Sequence, residues 1–294
     1  MNCVIDVPNT PAANASDSCS HGTHVAGIAA GNDGFGRVGV APAASIVAVQ
    51  IFSFDPQRNA KPTVFSVDLF RGLQAAADAM VQVPSPVTNT SPRNNFVLNM
   101  SIGGDVFNVP CSNHDSPAPS TQLPGHPTLG ALMDGITQLQ ERGVPVIAAA
   151  GNDSSTTGLA FPACLPGVIK VGAMRNTLAG NQRTWYSNYP VLANFPNETY
   201  FVAPGGAGLI GLPGIESAWI APGTPFHQSS GTSQAAPHVA GLYAMVMAGF
   251  RKLDLVFTVE AATAFIRAND GSVDVTVDVD GVLRTYRAVR LRNP

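Results

Sequence analysis

Charge is scarce in this chain. Only 12% of its 294 residues are charged, 16 Lys and Arg against 19 Asp and Glu, giving a net charge of −3. The cations are scattered, so no basic face exists to follow a phosphate backbone, and nucleic acid is excluded as a partner. Long apolar runs are missing too. None approaches the roughly eighteen residues a bilayer-crossing helix needs, and the opening MNCVIDVPN has no basic stretch followed by an apolar one. Neither a membrane anchor nor an export signal is therefore expected in the sequence as written. Internal repeats are absent, which removes solenoids and propellers. Metal-ligand spacing is absent as well: His24 follows His21 by three residues, but no Glu follows in H-E-x-x-H fashion. The alternating acids of residues 274–280 read as the solvated face of a strand. No metal ligands are assigned.

Cysteine is limited to four residues, Cys3, Cys19, Cys111 and Cys164. The even number and the placement suggest two local pairs, Cys3 with Cys19 and Cys111 with Cys164. Four cysteines allow three connectivities, and four buried thiols remain the alternative. Disulfides would place the mature protein in an oxidising compartment.

What the sequence does have is apolar mass, 45% of its residues, enough for a large core in a single domain. After a polar loop over residues 1–20, HGTHVAGIAAG at 21–31 reads as a short helix of small residues. Runs at 45–52, 95–102, 144–150 and 168–173 read as buried parallel strands, with a shorter fifth at 200–203. Helices are predicted at 66–82, 129–142, 239–250 and 253–267, and a β-hairpin around Asp280-Gly281. Strands alternating with helices imply an α/β fold in three layers, a mainly parallel sheet with helices on both faces. On such a sheet, ligands bind at the carboxyl ends of the strands, where Ser101, Asn152, Gly103 and Gly205 fall.

Two stretches carry chemistry. GTSQAAPHVAG, residues 231–241, sets Ser233 at a helix start, where partial positive charge favours an oxyanion forming beside it. A helix start capped by Thr232 or Ser233 is the bland alternative, and Pro237 is placed in the first helical turn. A serine hydroxyl is a poor nucleophile until a base removes its proton, and His21 opens the other stretch. The tetrahedral oxyanion needs a preorganised donor, which the side-chain amide of Asn152 can supply at a strand end.

The order and flanks of these pieces resemble the subtilisin-like serine peptidases, the subtilase family. HGTHVAGIAAG and GTSQAAPHVAG resemble its histidine and serine signatures, AAAGND its oxyanion-asparagine segment, and NMSIGG its substrate-binding strand. FPACLPGVIKVGA, SNYP and VAPGG also fall in family order. The resemblance implies a subtilisin-like fold, with residues 1–250 as a catalytic domain and 251–294 as a helix-and-hairpin extension of the same domain. It implies His21 as general base, Ser233 as nucleophile and Asn152 as oxyanion donor. Ser101, Ile102 and Gly103 would pair with an extended peptide, and Ala149, Ala150 and Gly151 would line the pocket for the residue before the cut. By the same resemblance the protein is a secreted monomer acting on protein or peptide substrates, with a propeptide in its precursor and no required cofactor. Structural calcium is frequent in the family, but the sequence shows no identifiable ligand set for it.

One departure bears on catalysis. In this family the acidic triad member precedes the histidine by about thirty residues, whereas only twenty residues precede His21 here. The resemblance therefore places that Asp before Met1. Asp6 imitates the motif, but it stands fifteen residues ahead of His21 and is followed by Val7-Pro8 in place of Thr-Gly. Asp17 matches a position that is commonly acidic in the family but lies outside the triad. Two readings follow: an active endopeptidase working through an acyl-enzyme, or a catalytically impaired subtilase-fold module that binds peptides.

Overall fold

The structure is a computed structural model. It describes residues 12–54, 62–63, 66–82, 95–111, 129–177, 180–220, 223–268, 272–279 and 281–289. In chain order the elements are α1 (Ala12–Ala30), β1 (Ser53–Phe54), β2 (Pro62–Thr63), α2 (Ser66–Gln82), β3 (Leu98–Met100), β4 (Val106–Phe107), α3 (Leu129–Glu141), β5 (Val146–Ala149) and β6 (Leu159–Ala160). There follow β7 (Ile169–Thr177), β8 (Gly180–Arg183), β9 (Tyr200–Pro204), β10 (Ile215–Ala218), β11 (Phe226–Ser229), α4 (Thr232–Lys252), α5 (Val259–Ala268), β12 (Ser272–Val279) and β13 (Val282–Val289).

The central sheet runs β12-β13-β9-β7-β5-β3, with β8 hung antiparallel on β7. Strands β3, β5, β7, β9 and β13 are mutually parallel, and for β3, β5, β7 and β9 this is what the apolar runs predict. The terminal hairpin β12–β13 joins this sheet by pairing β13 with β9. Each face buries its own core. Leu69 and Leu73 of α2 and Leu132, Ile136 and Leu139 of α3 pack on one side. Ala235, Ala236, Val239 and Tyr243 of α4, with Ile266 of α5, pack on the other. The α/β class and the helix–sheet–helix layering expected from the sequence are both present.

Three local expectations are corrected. The loop predicted for residues 1–20 is helical from Ala12 onward, because α1 reaches back ahead of His21. Alanines at 12, 13 and 15 cost little in a helix, and no Gly or Pro interrupts the stretch between Ala12 and Ser20. The run 45–52 is not a buried strand: Ile46, Val47 and Val49 are 43%, 53% and 37% exposed. Among the described residues the sheet ends at β3, and β-branched composition without a neighbouring strand does not make one. The helix predicted over 253–267 begins only at Val259. Asp254 takes a left-handed φ of 56°, and Thr258 caps α5 by accepting the Ala261 N–H on its Oγ1 at 3.0 Å. The cysteine pairing is resolved for one pair, since Cys111 and Cys164 are disulfide-bonded. Of the expected Cys3–Cys19 pair, Cys3 lies outside the described residues, as does Asp6, and of Cys19 only the backbone, in α1, is described.

Beneath the sheet, Lys170 of β7 is fully buried. Its ammonium donates to the carbonyls of Leu165 and Val168, each at 2.9 Å, and to Glu198 Oε2 at 2.7 Å. Burial lowers the lysine pKa, while the Glu198 carboxylate opposes that shift. Lys170→Met is therefore expected to cost about 3 kcal/mol, because it leaves Glu198 and two carbonyls without their donor. Urea unfolding would measure the cost. The double variant Lys170→Met, Glu198→Gln should recover part of the loss.

Candidate active site

The site is assembled where the end of β5 meets the start of α4. Gly151 follows β5 with φ of +106°, and a Cβ there would fall 2.3 Å from Asn188 Nδ2 and 2.6 Å from Ala160 Cβ, so only glycine fits. This turn aims Asn152 at the helix N-terminus. Asn152 Oδ1 accepts both the backbone N–H and the hydroxyl of Thr232, each at 2.9 Å. The Thr232 hydroxyl in turn accepts the Gly151 N–H at 3.2 Å. With Oδ1 committed, the orientation of the amide is settled, and its Nδ2 is left to donate elsewhere. Nδ2 lies 3.4 Å from where a side chain on Gly231, two residues before Ser233, would begin.

Ser233 is the second residue of α4. Its hydroxyl donates to the Ser101 carbonyl at 3.3 Å, and the Ser101 hydroxyl donates to the Ser233 carbonyl at 2.8 Å. Pro237 explains why that second bond can form. It sits inside α4 and not in its first turn as expected from the sequence. Its missing N–H leaves the Ser233 carbonyl without the usual helical donor four residues on. Asn99 Nδ2 donates to Ser101 Oγ at 3.0 Å and completes the latch between β3 and α4.

His21 rides on α1, which packs along α4 and β10. A Cβ on Gly241 of α4 would lie 2.6 Å from Val40 Cβ and 2.9 Å from the Ala29 carbonyl, so the small residues of both signatures permit this approach. Anchors flank His21 on either side. Ser20 Oγ donates to the Ile220 carbonyl at 3.0 Å and accepts the Ile220 N–H at 3.2 Å. His24 Nε2 lies 3.0 Å from the carbonyls of both Ile215 and His227, which makes Nε2 the protonated nitrogen. Burial lowers the pKa of His21, and the neighbouring His24 ring lowers it further. Among the described residues, no hydrogen bond joins His21 to Ser233, and none joins it to a carboxylate. Of Asp17 only the backbone, in α1, is described.

Beside Ser233 lies a cavity of about 210 Å³ whose lining includes Ile102, Gly103, Ala149, Gly151 and Asn152. The structure thus brings these sequence-predicted residues together around one space. Ser101 stands next to it as part of the latch. Ala150 is fully buried behind the wall, where its carbonyl takes the Asn188 side-chain amide at 2.9 Å. His21 is not part of the lining.

This arrangement, a helix-start serine with a locked side-chain amide beside it at a parallel strand end, agrees with the match of residues 3–285 to the subtilase family model, Peptidase_S8. The chain belongs to the subtilase family.

Among its relatives, subtilisin BL of Lederbergia lenta is 31% identical over 242 residues, covering 82% of this chain and 66% of the relative. Subtilisin E of Bacillus subtilis is 32% identical over 235 residues, covering 79% of this chain and 46% of that one. The chain thus spans between about half and two thirds of the length of these relatives. Among solved structures, the patellamide maturation protease PatA aligns with a TM-score of 0.61 at 25% identity, covering 88% of this chain and 75% of its own. A cold adapted subtilisin-like serine proteinase aligns at 0.60 over 95% of this chain and 77% of its own, at 24% identity, and shows the fold alone.

Sequence reasoning on this subtilase missed two residues that set the site. Asn188, within the SNYP block, is fully buried with every polar atom used. It donates to the Ala150 carbonyl and Asp153 Oδ2, and it accepts the N–H groups of Asp153 and Ser155. It thereby fixes the loop that carries Asn152. Thr232 was weighed only as a cap, yet its hydroxyl ties Asn152 to Gly151. Both sit inside recognised blocks, but only contacts in space reveal their roles. His238 is buried, donates from Nδ1 to the Gln234 carbonyl at 2.8 Å, and has its pKa lowered to about 4 by burial, so it is a neutral packing histidine.

Proposed function

We propose that this chain is a serine endopeptidase that hydrolyses peptide bonds in extended protein substrates. Ser233 is the nucleophile, His21 the general base and Asn152 the oxyanion donor. The observation that carries this reading is the Asn152–Thr232 lock, which holds an uncommitted amide N–H beside the helix-start serine. The substrate adds as a strand along Ser101, Ile102 and Gly103. Its backbone N–H is suited to the Ser101 carbonyl, the acceptor that holds the Ser233 hydroxyl at rest. Seating the peptide would therefore release that hydroxyl towards His21.

Ser233 Oγ then attacks the scissile carbonyl while His21 takes its proton. Negative charge collects on the carbonyl oxygen and meets Asn152 Nδ2 and the N-terminal amides of α4. Collapse expels the amine, which takes the proton from His21 and leaves an ester on Ser233. Water, deprotonated by His21, hydrolyses the ester and restores the serine. None of these steps needs a cofactor. A secreted, monomeric enzyme released from a propeptide is the setting that fits, with the Cys111–Cys164 disulfide in keeping with an oxidising compartment. No helix among the described residues is long and apolar enough to cross a membrane.

A fluorophosphonate probe tests the reading. It is expected to attach covalently to Ser233, with the mass increase mapping to the peptide that carries that residue, and a peptide substrate should slow the labelling. A second reading, a peptide-binding module with impaired catalysis, is favoured by the hold of Ser101 on the Ser233 hydroxyl and by the lack of a carboxylate on His21 among the described residues. Peptide binding without labelling would select it.

A further inference from the structure

The loop that carries Asn152 is held partly from the far end of the chain. Gly151 and Ser154 both take a left-handed backbone, with φ of 106° and 58°. A non-glycine residue keeps such a conformation only where its surroundings fix it. The Asn188 side chain supplies part of that constraint. The main chain beside it adds two bonds, since Ser154 N–H donates to the Tyr186 carbonyl and Tyr189 N–H to the Ser155 carbonyl, each at 2.8 Å. At Thr156 the constraint comes from a side chain 128 residues further on, that of Arg284.

Arg284 belongs to β13, the strand that brings the terminal hairpin into the central sheet. The period of two along a strand puts Arg284 on the same face as Tyr286 and Ala288, both buried in the core. A cation at the end of an apolar stripe needs partners. Arg284 has two: its Nη1 donates to the Thr156 carbonyl and, at 3.2 Å, to the Tyr189 carbonyl. One nitrogen therefore bridges the Asn152 loop and the segment of Asn188. Two residues along β13, Tyr286 Oη donates to the Pro190 carbonyl at 3.0 Å. The Tyr286 ring packs on Tyr189 and Tyr200 at centroid distances of 5.4 and 5.2 Å, and Tyr200 Oη donates to the Asn188 carbonyl at 2.8 Å. The hairpin thus holds the Asn188 segment from one side while the Asn188 side chain holds the Asn152 loop on the other.

We infer that Arg284 is a positioning residue for peptide-bond hydrolysis. By clamping Thr156 to the Asn188 segment, it keeps the Asn152 amide aimed at the place where the oxyanion forms. The inference rests on the endopeptidase reading of the site and gives the terminal hairpin a part in turnover. Arg284 acts through Asn152 and is not itself a catalytic group. Its guanidinium stays charged at every working pH, so the clamp does not titrate with His21. Aim matters only once charge has developed, so its loss should appear in kcat and not in KM.

The test replaces Arg284 by methionine in the full chain, which keeps the stem and removes the donors. In hydrolysis of a peptide anilide kcat is expected to fall about tenfold with KM within about twofold, inside the roughly hundredfold that a misplacement of about 1 Å can cost. In an Asn152→Leu background the same change is expected to cost less than about twofold, because no amide is left to aim. If methionine prevents folding, Arg284→Lys carries the same cycle, its ammonium ending one bond short of Nη1. A second arm needs no chemistry: hydrogen exchange in a Ser233→Ala background. There Arg284→Met is expected to speed exchange of the Asp153, Ser155 and Tyr189 amides about tenfold while the amides of β5 and β7 keep their rates. If kcat is unchanged, or falls equally in both backgrounds, Arg284 does not act through Asn152 and the inference fails while the endopeptidase reading stands. If the unsubstituted protein hydrolyses nothing, the endopeptidase reading fails and exchange alone decides the clamp: faster exchange confined to the loop upholds it, and unchanged exchange overturns it.

Discussion

Replacing His21 by alanine is expected to lower kcat/KM by about 10⁴-fold, the upper range for loss of a general base. Steady-state hydrolysis of a peptide anilide measures it. The effect should lie mainly in kcat, because the imidazole acts on a proton in flight and not on the resting substrate. The pH profile of the unsubstituted protein carries more information. A base works in its neutral form, and burial together with the adjacent His24 ring lowers the pKa of His21 from its ordinary value of 6.5. The acid limb of kcat/KM is therefore expected below pH 6.5, with activity retained where a solvated histidine would already be charged. A carboxylate partner would act in the opposite direction, stabilising the imidazolium and raising the pKa. An acid limb above pH 6.5 would thus show that His21 has gained such a partner, and the position of the limb reports how the base is oriented.

The fold was legible wherever local pattern and tertiary partner agree. Residues 144–150 and 168–173 are apolar runs with strands on both sides, and they form β5 and β7 as expected. Residues 45–52 have the same composition but no strand to pair with among the described residues, and Ile46, Val47 and Val49 stay exposed. Periodicity reports what a segment could bury, and a neighbour decides whether it does. The same limit governs α1, whose backward extension to Ala12 was hidden by polar residues that a helix tolerates.

The site was legible as residue types and only partly as roles. The glycines and alanines of both signatures announce close backbone approach, and α1 against α4 is that approach. Pro237 was visible in the sequence, but its effect depends on helix phase. Only in a helix starting at Thr232 does its absent N–H fall opposite the Ser233 carbonyl, which frees that carbonyl for Ser101. Asn188 lies 36 residues beyond Asn152 in the sequence, and its side chain is joined to the loop by four hydrogen bonds that no spacing rule predicts.

Asn152→Leu is expected to lower kcat by a factor of about 10² to 10³, or 2.7–4 kcal/mol, with KM near its starting value; the magnitude is that of subtilisin's own oxyanion asparagine. KM should hold because the amide N–H meets charge that exists only after Ser233 has attacked. Leucine also removes the acceptor of the Thr232 N–H and hydroxyl, so a loss of activity alone could reflect a loosened helix start. Asn152→Asp separates the two effects. A carboxylate oxygen can still accept both Thr232 bonds, but the group facing the oxyanion changes from a donor to a second acceptor bearing negative charge. If donation from Nδ2 is what matters, Asn152→Asp should lose at least as much kcat as Asn152→Leu while unfolding at the same urea concentration as the unsubstituted protein. If Asn152 serves only to hold Thr232, Asn152→Asp should keep most of its kcat. The pair of variants thus assigns Asn152 either to the chemistry or to the scaffold.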